Sequence, residues 1–396
     1  MKQFKNTIRY LIVGIIVVSL YTISTPLGNC NIIFNSESQD TIKLKELDKL
    51  QSEINNYNKI AFQFDSIFER KVKAEDTLKV HKKNLTDIEL KCSLLKQELK
   101  YEEVDSCEKS LNRKLELLYR EKESLNNSIK SLNRIIIREE KEVIEIQKKH
   151  EIQVNKIQQY VVGINGSYKI KFKGCWYYLF IVNIDSSQIL MHHKDSLTKK
   201  PYKTIDNVYK ALSRGKLKPL MITNAGMYTQ SFEPQGLYIE QFKELYPIDT
   251  TRPNNDNFYL KPNGVFYLDQ MNKPYINTTE DFLNKYRSKK VKVKFATQSG
   301  PMLLINGQIH PVFTVNSSNR KIRSGVGITI DKKVVFAISL GEVNFYDFAN
   351  LFKDIFTCND ALFLDGAISR MFLFDKDPQE RGGNFGPIIS VVKRTK

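Results

Sequence analysis

The chain has 396 residues, with 61 Lys and Arg against 44 Asp and Glu and a formal net charge of +17. An apolar fraction of 41%, with 23 Phe and 19 Tyr, excludes a wholly disordered chain, and five cysteines in this length exclude a small disulfide scaffold. The positive excess sits late: residues 160–396 hold 33 basic against 20 acidic residues, a net of +13, which suits acidic partners without specifying a fold.

Lys2, Lys5 and Arg9 precede an almost purely apolar run over 10–25. A basic start before such a run predicts an export signal or a signal anchor, with the positive flank cytoplasmic and everything after residue 30 outside. The run is shorter than the roughly 20 residues a spanning helix needs. Leu27, Gly28, Asn29 and Cys30 faintly resemble a lipoprotein processing site. An uncleaved anchor, a cleaved signal and a lipidated Cys30 are therefore all open, and residues 1–30 are assigned to a cytoplasmic tip and membrane helix.

No Pro or Gly occurs between Gly28 and Gly163. Within residues 41–159 apolar positions step by three and four, first as Leu47, Leu50, Ile54, Tyr57, Ala61, Phe64 and Phe68, then as Leu111, Leu115, Leu118, Leu125, Ile129, Leu132 and Ile136. That period predicts a coiled coil, with its phase broken across 101–110. An antiparallel hairpin and a long parallel dimer both fit, and the latter makes the region a route to a homo-oligomer.

From residue 163 the texture changes to β-branched and aromatic runs separated by turn residues. Strands are expected at 168–172, 176–182, 220–223, 265–268, 291–296, 326–330, 334–339 and 361–364, and helices at 205–213, 280–286 and 345–356. The fold class expected is α+β: a membrane helix and a helical coiled coil, then one mixed sheet-and-helix domain over 163–396.

Four apolar runs in that domain end on a polar side chain beside a glycine: Asn224 with Gly226, Ser299 with Gly300, Gly341 with Glu342, and Asp365 with Gly366. A strand delivers its last side chain to the sheet edge, where ligand crevices form, and glycine there admits close approach or positive φ. Turn geometry alone accounts for the same residue types.

The stretches 222–228, 234–238, 257–267, 297–302, 323–327 and 361–366 resemble, in order, the blocks of the phosphodiester glycosidase family, which includes many bacterial envelope proteins. The likeness runs from about residue 165 to 390 and covers none of the coiled coil. It implies hydrolysis at a sugar C1–O–phosphate bond; no residue of the sequence is assigned to a cofactor or metal. Residue by residue, the likeness matches Asn224, Ser299, Arg323 and Asp365; the chemistry of such a bond then makes Asp365 the first choice of catalytic carboxylate and Glu342, a strand-end residue outside the matching blocks, the second, with Arg323 as a guanidinium clamp on the diester. Asn224, Gly226, Ser299, Gly300, Asn263 and Ser369 are implied to bind sugar or phosphate. One departure stands out: Ala367 occupies the position where many members carry a second Gly after Asp-Gly.

Other combinations carry less. His192 and His193 with Asp195 resemble metal-ligand material, but neighbouring side chains on a strand face opposite ways. Cys358 with His310 forms a nucleophile pair only if the fold unites them. Cys175 with Cys358, and Cys92 with Cys107, are conceivable disulfides. Lys289, Lys290, Lys292 and Lys294 read as a solvated strand face rather than a nucleic-acid contact. The expectation is therefore a membrane-anchored envelope hydrolase acting on a phosphate-containing glycan or glycolipid, with no nucleic-acid partner. The alternative is an envelope scaffold that binds glycans without cleaving them.

Overall fold

The computed structural model describes residues 39–100, 105–161, 164–251, 257–288, 291–365, 369–375 and 382–394. The expected anchor over 1–30 lies outside these residues, as do Ala367, Lys289 and Lys290. Among the described residues no helix is long and apolar enough to cross a membrane.

Two long helices come first, α1 (Gln39–Glu98) and α2 (Asp105–Val161). The compact unit Glu53–Ile157 is built from them. Within it the helices run antiparallel. Glu53 meets Gln153, whose amide donates to the Glu53 carbonyl at 2.9 Å; Arg70 meets Glu139 at 2.9 Å; and Glu89 meets Lys122 at 2.9 Å. Ile67, Val143 and Ile146, flanked by Ile60 and Phe64, form an apolar cluster between them. Buried Glu139 takes guanidinium groups from both Arg70 and Arg138. Burial pushes its carboxyl up, and the two arginines outweigh that and hold it below its ordinary value. Of the two arrangements open in the sequence, the helices adopt the hairpin.

The second unit takes residues up to Ser52 and from Gln158 onward. Its strands in chain order are β1 (Gly166–Phe172), β2 (Cys175–Val182), β3 (Ser187–His192), β4 (Pro219–Asn224), β5 (Tyr238–Glu240), β6 (Lys243–Tyr246), β7 (Gly264–Asp269), β8 (Pro274–Thr278), β9 (Val293–Ser299), β10 (Met302–Ile305), β11 (Gln308–Ile309), β12 (Ser324–Thr329), β13 (Val334–Ser339), β14 (Cys358–Phe363), β15 (Met371–Leu373) and β16 (Ile388–Lys393). They form three sheets, ordered β1-β2-β13-β12-β14-β10-β11, β15-β4-β16-β3 and β6-β5-β9-β7-β8. Helices α3 (Ile205–Arg214), α4 (Thr279–Arg287) and α5 (Phe345–Asn350) are inserted between strands, the last running into a π-helical turn, Leu351–Ile355. Helices N-terminally and a sheet-rich C-terminal domain make the fold α+β.

Helices α3, α4 and α5 begin where a side chain can accept an otherwise orphaned amide: Thr204 accepts from Asn207, Thr278 from Asp281 and Asn344 from Asp347. One face of the seven-stranded sheet supplies Phe180, Val326, Phe336 and Leu362 to the main core, together with Met221 and Ile389 from the four-stranded sheet. On its other face β12 alternates Gly325 and Gly327. A Cβ at Gly327 would stand 2.6 Å from the Phe352 ring, so the glycines let α5 and its π-turn lie against the strand. β1 is an edge strand. Its Lys171 amide donates to the Gln51 carboxamide at 2.8 Å, and the Gln51 amide returns a bond to the Lys171 carbonyl at 3.0 Å.

The four described cysteines Cys92, Cys107, Cys175 and Cys358 are free thiols. Cys175 lies beyond the end of β13 near Gly341, whereas Cys358 pairs with Thr329 at the opposite end of the sheet. The register therefore keeps the two apart, which corrects the idea of a bond between them.

Candidate active site

Three sheets send strand ends to one place. β4 ends on Asn224, β9 ends on Ser299, β12 begins with Ser324, and β14 runs out through Leu364 into Asp365. Hydrogen bonds join them. Asn224 Nδ2 donates to Ser324 Oγ at 2.9 Å, and Ser324 Oγ donates onward to the Asp365 carbonyl at 3.2 Å. Ser369 Oγ donates to the same carbonyl at 2.5 Å, and Ser299 Oγ donates to the Leu364 carbonyl at 2.5 Å. Arg370 closes the ring by donating its amide to Asn224 Oδ1 at 3.1 Å, and its carbonyl accepts from the Thr223 hydroxyl at 2.8 Å.

The chain around Asp365 is thus fixed from four directions, and the residue is 6% exposed. Tyr228 lies within reach of its charge: burial first, and the Asp365 carboxylate second, push the phenol above its ordinary value. The phenol stays protonated at neutral pH and donates to the Asn384 carbonyl at 2.8 Å. A half-buried Arg370 guanidinium, donating to the Ser369 carbonyl at 3.2 Å, supplies positive charge beside Ser369. Carboxylate, phenol, carboxamide and guanidinium together can bind an anion and attack or deprotonate beside it.

Of the residues expected from sequence, Asn224, Ser299, Asp365 and Ser369 are brought together by these bonds, and the five others, Arg323, Glu342, Asn263, Gly300 and Gly226, take other places. Arg323 precedes Ser324, so strand alternation sends its side chain to the other face of the sheet. There its guanidinium stacks 3.5 Å from the Phe345 ring centroid and donates to the carbonyls of Val343 and Asn319, each at 2.9 Å. It is 1% exposed, and burial lowers it to about 10. This geometry makes Arg323 a brace under α5. Glu342 is exposed, and no hydrogen bond among the described residues ties its carboxylate to the cluster.

Asn263 is buried with its oxygen accepting from both Lys261 and Thr279 while its amide donates to the Phe258 carbonyl, so it ties a loop together. A Cβ at Gly300 would stand 2.6 Å from that of Asn263, and one at Gly226 would fall inside the reach of the Gln298 carbonyl oxygen. Both glycines are required by backbone packing. Gly226 also donates its amide to Thr297 Oγ1 at 3.2 Å.

Ser324, Tyr228 and Arg370 were not singled out from sequence. Ser324 sits between Arg323 and Gly325 in a glycine-rich run, where alternation alone could have turned attention to it. No group of three His, Cys, Asp or Glu able to hold a metal occurs among the described residues. His192 bonds Ser390 and His193 the Phe232 carbonyl, facing apart as strand geometry requires.

The fold and site describe an α+β domain whose strand ends converge on a buried aspartate. Residues 218–389 match the phosphodiester glycosidase family model, which upholds the resemblance read from the sequence. The uncharacterized protein YigE of Escherichia coli (strain K12) is 37% identical over 161 residues, 41% of this chain; the chain spans 60% of that relative's length. Among solved structures, the catalytic domain of zebrafish N-acetylglucosamine-1-phosphodiester alpha-N-acetylglucosaminidase aligns at 14% identity and TM-score 0.40, over 58% of this chain and 82% of its own. A hypothetical protein from Synechocystis aligns at 11% identity and TM-score 0.40, over 58% of this chain and 61% of its own.

Proposed function

We propose that the chain hydrolyses sugar-1-phosphodiester bonds in a phosphate-containing glycan or glycolipid of a bacterial envelope. What carries this reading is the buried Asp365, held where strands of three sheets converge inside the matched region. The leaving group is a phosphate monoester with a second pKa of about 6, so it departs without strong protonation. Asp365 supplies the carboxylate that attacks C1 or takes a proton from water; the C1–O bond breaks, water contributes the new hydroxyl, and the phosphate leaves with the bonding pair. Arg370 is the cation beside the diester, Tyr228, whose proton goes to the Asn384 carbonyl, offers its phenol oxygen as an acceptor to a sugar hydroxyl, and Asn224 with Ser324 positions the backbone of Asp365.

The basic, apolar start supports attachment to a membrane with the later residues outside, and the long helical hairpin supports a stalk. Fractionation of cells expressing the full chain tests the location; recovery in the cytosol overturns it. Sugar release by the full chain from a panel of sugar-1-phosphodiesters, wild type beside Asp365→Asn, tests the reaction. Release by the wild type and its loss in the folded variant are expected. Equal release by both overturns the role of Asp365, and no release from any diester by a folded chain overturns the hydrolase in favour of a glycan-binding scaffold.

A further inference from the structure

His193 takes no part in the chemistry assigned to Asp365. It follows β3, is fully buried, and stands edge-on to the rings of Tyr238 on β5 and Tyr246 on β6, at 5.8 and 5.5 Å. Its Nε2 lies 3.1 Å from the Phe232 carbonyl and 3.4 Å from the Glu233 carboxylate. A carbonyl only accepts, so the ring proton belongs to Nε2. Nδ1 is buried with no hydrogen-bond partner among the described residues. An apolar side chain would fill this space without burying an unpaired nitrogen, so the bonds from Nε2 are what the imidazole adds.

Phe232 and Glu233 belong to a hairpin over 227–235. It is closed by bonds from the Gln235 amide to the Met227 carbonyl, the Thr229 amide to the Glu233 carbonyl and the Phe232 amide to the Thr229 carbonyl, each at 2.9 Å. Its tip is exposed. Glu233 is held from outside by Lys194 at 3.2 Å and by the Tyr246 phenol. Phe232 sits at φ +64°, a conformation that a bulky side chain keeps only where contacts outweigh its cost. Its ring stacks on that of Tyr228 at 5.9 Å, and the Lys203 ammonium stands 4.6 Å from its centroid. Tyr228 in turn packs on Gly386, where an added Cβ would stand 2.4 Å from the tyrosine's own. The next residue, Pro387, accepts the Ala225 amide at 2.9 Å, and Ile388 pairs with Asn224. The hairpin thus links the His193 ring to the strand end that carries Asn224.

We propose that His193 is a positioning residue for the candidate active site: it clasps Phe232 and Glu233, so that Phe232 holds the Tyr228 ring beside Asp365. The inference rests on the proposed function, in which the Tyr228 phenol oxygen accepts from a sugar hydroxyl, and it names what keeps that oxygen in place. Burial outweighs the nearby Glu233 carboxylate and lowers the imidazole below its ordinary value, so the neutral donor is the form present at neutral pH.

In the full chain, His193→Leu removes the donor and His193→Gln keeps one. Hydrogen exchange of the amides over 227–235 should be faster by roughly tenfold or more in His193→Leu and near wild type in His193→Gln, with β4 unchanged in both. On a sugar-1-phosphodiester that the wild type cleaves, kcat/KM should fall by a similar factor in His193→Leu and recover to within about threefold in His193→Gln. Tyr228→Phe removes the oxygen that the clasp positions, so adding His193→Leu to it should lower kcat/KM no further. Unchanged exchange over 227–235 in His193→Leu overturns the clasp. Equal kcat/KM in His193→Leu and the wild type, or an equal loss in His193→Leu and His193→Gln, overturns the positioning role. A full further loss on adding His193→Leu to Tyr228→Phe overturns the route through Tyr228. Faster exchange in His193→Leu, with no diester cleaved by the wild type, sustains the clasp and overturns the hydrolase.

Discussion

Asn224 reaches Asp365 through a single hydroxyl: its carboxamide donates to Ser324 Oγ at 2.9 Å, and that oxygen donates to the Asp365 carbonyl at 3.2 Å. The relay spans two sheets, since Asn224 ends a strand of the four-stranded sheet while Ser324 opens one of the seven-stranded sheet. Replacing Ser324 by Ala leaves a buried Asn224 amide proton short of its partner and takes one of two donors from the Asp365 carbonyl, which keeps Ser369, at a cost of about 1–3 kcal/mol. Because the carbonyl belongs to the residue assigned as the catalytic carboxylate, kcat on a sugar-1-phosphodiester should fall by about 100-fold with KM little changed. Ser324→Thr, keeping the hydroxyl, should recover part of the loss. Steady-state kinetics on all three proteins tests this, and an unchanged kcat in Ser324→Ala would falsify the positioning role.

Arg323 offers the opposite test. Removing its guanidinium strands the carbonyl of Asn319, takes one of two donors from that of Val343, which keeps the Lys321 amide, and empties the space against Phe345. Arg323→Met should therefore lower stability by on the order of 3 kcal/mol. KM for the diester should remain within about threefold at temperatures where the variant is folded, a factor worth less than RT ln 10. Denaturant unfolding beside kinetics separates the two effects. A large rise in KM at unchanged stability would return Arg323 to the role of anion clamp.

A buried histidine supplies a pH dependence. His310 is fully buried, with Nε2 3.0 Å from the Lys261 carbonyl and Nδ1 accepting from the Val312 amide at 3.3 Å. That pattern assigns the proton to Nε2 and leaves no room for one on Nδ1. Burial lowers the ring to about 4. Below about 6.5 the unfolded chain takes up a proton that the folded chain refuses, so this contribution to stability is present at neutral pH and is lost as pH falls from about 6.5 to 4. The full loss amounts to about 3 kcal/mol. Thermal melts across this range should show a steeper decline in the wild type than in His310→Gln.

Gly226 and Gly382 form a matched pair. A Cβ at Gly226 meets the Gln298 carbonyl and the Thr297 hydroxyl, whereas one at Gly382 meets nothing within 4 Å. Gly226→Ala should cost about 1–3 kcal/mol or more through forced backbone movement, and Gly382→Ala should leave the unfolding midpoint where it was. Equal midpoints for the two variants would show that close packing is not what requires glycine at 226.

Much of this arrangement could be read from residue pattern, and the parts that could not share a cause. The run 334–339 coincides with β13, 176–182 lies within β2, and 205–213 lies within α3, because each carries a strong apolar period over its whole length. Short strands such as Tyr238–Glu240 and Met371–Leu373 escaped, since three residues hold too little period and their pairing with β9 and β4 is decided by distant chain. Asn224, Ser299 and Asp365 were legible as strand ends beside glycine. Arg323 and Ser324 were not distinguishable without the register: one residue apart, they face opposite sides of the same sheet. Arg370 likewise gains its place only from the bond between its amide and Asn224 Oδ1.

The paired hydrogen bonds between Gln51 and Lys171 have a consequence of their own. An edge strand invites another chain to add to the sheet, and β1 is the outermost strand of a seven-stranded one. The side-chain amide of Gln51 occupies both backbone groups of Lys171, one donor and one acceptor, much as an added strand would. A helix residue thus serves as a one-residue plug in the ladder, and any self-association of this chain must be built elsewhere than by sheet growth at that position.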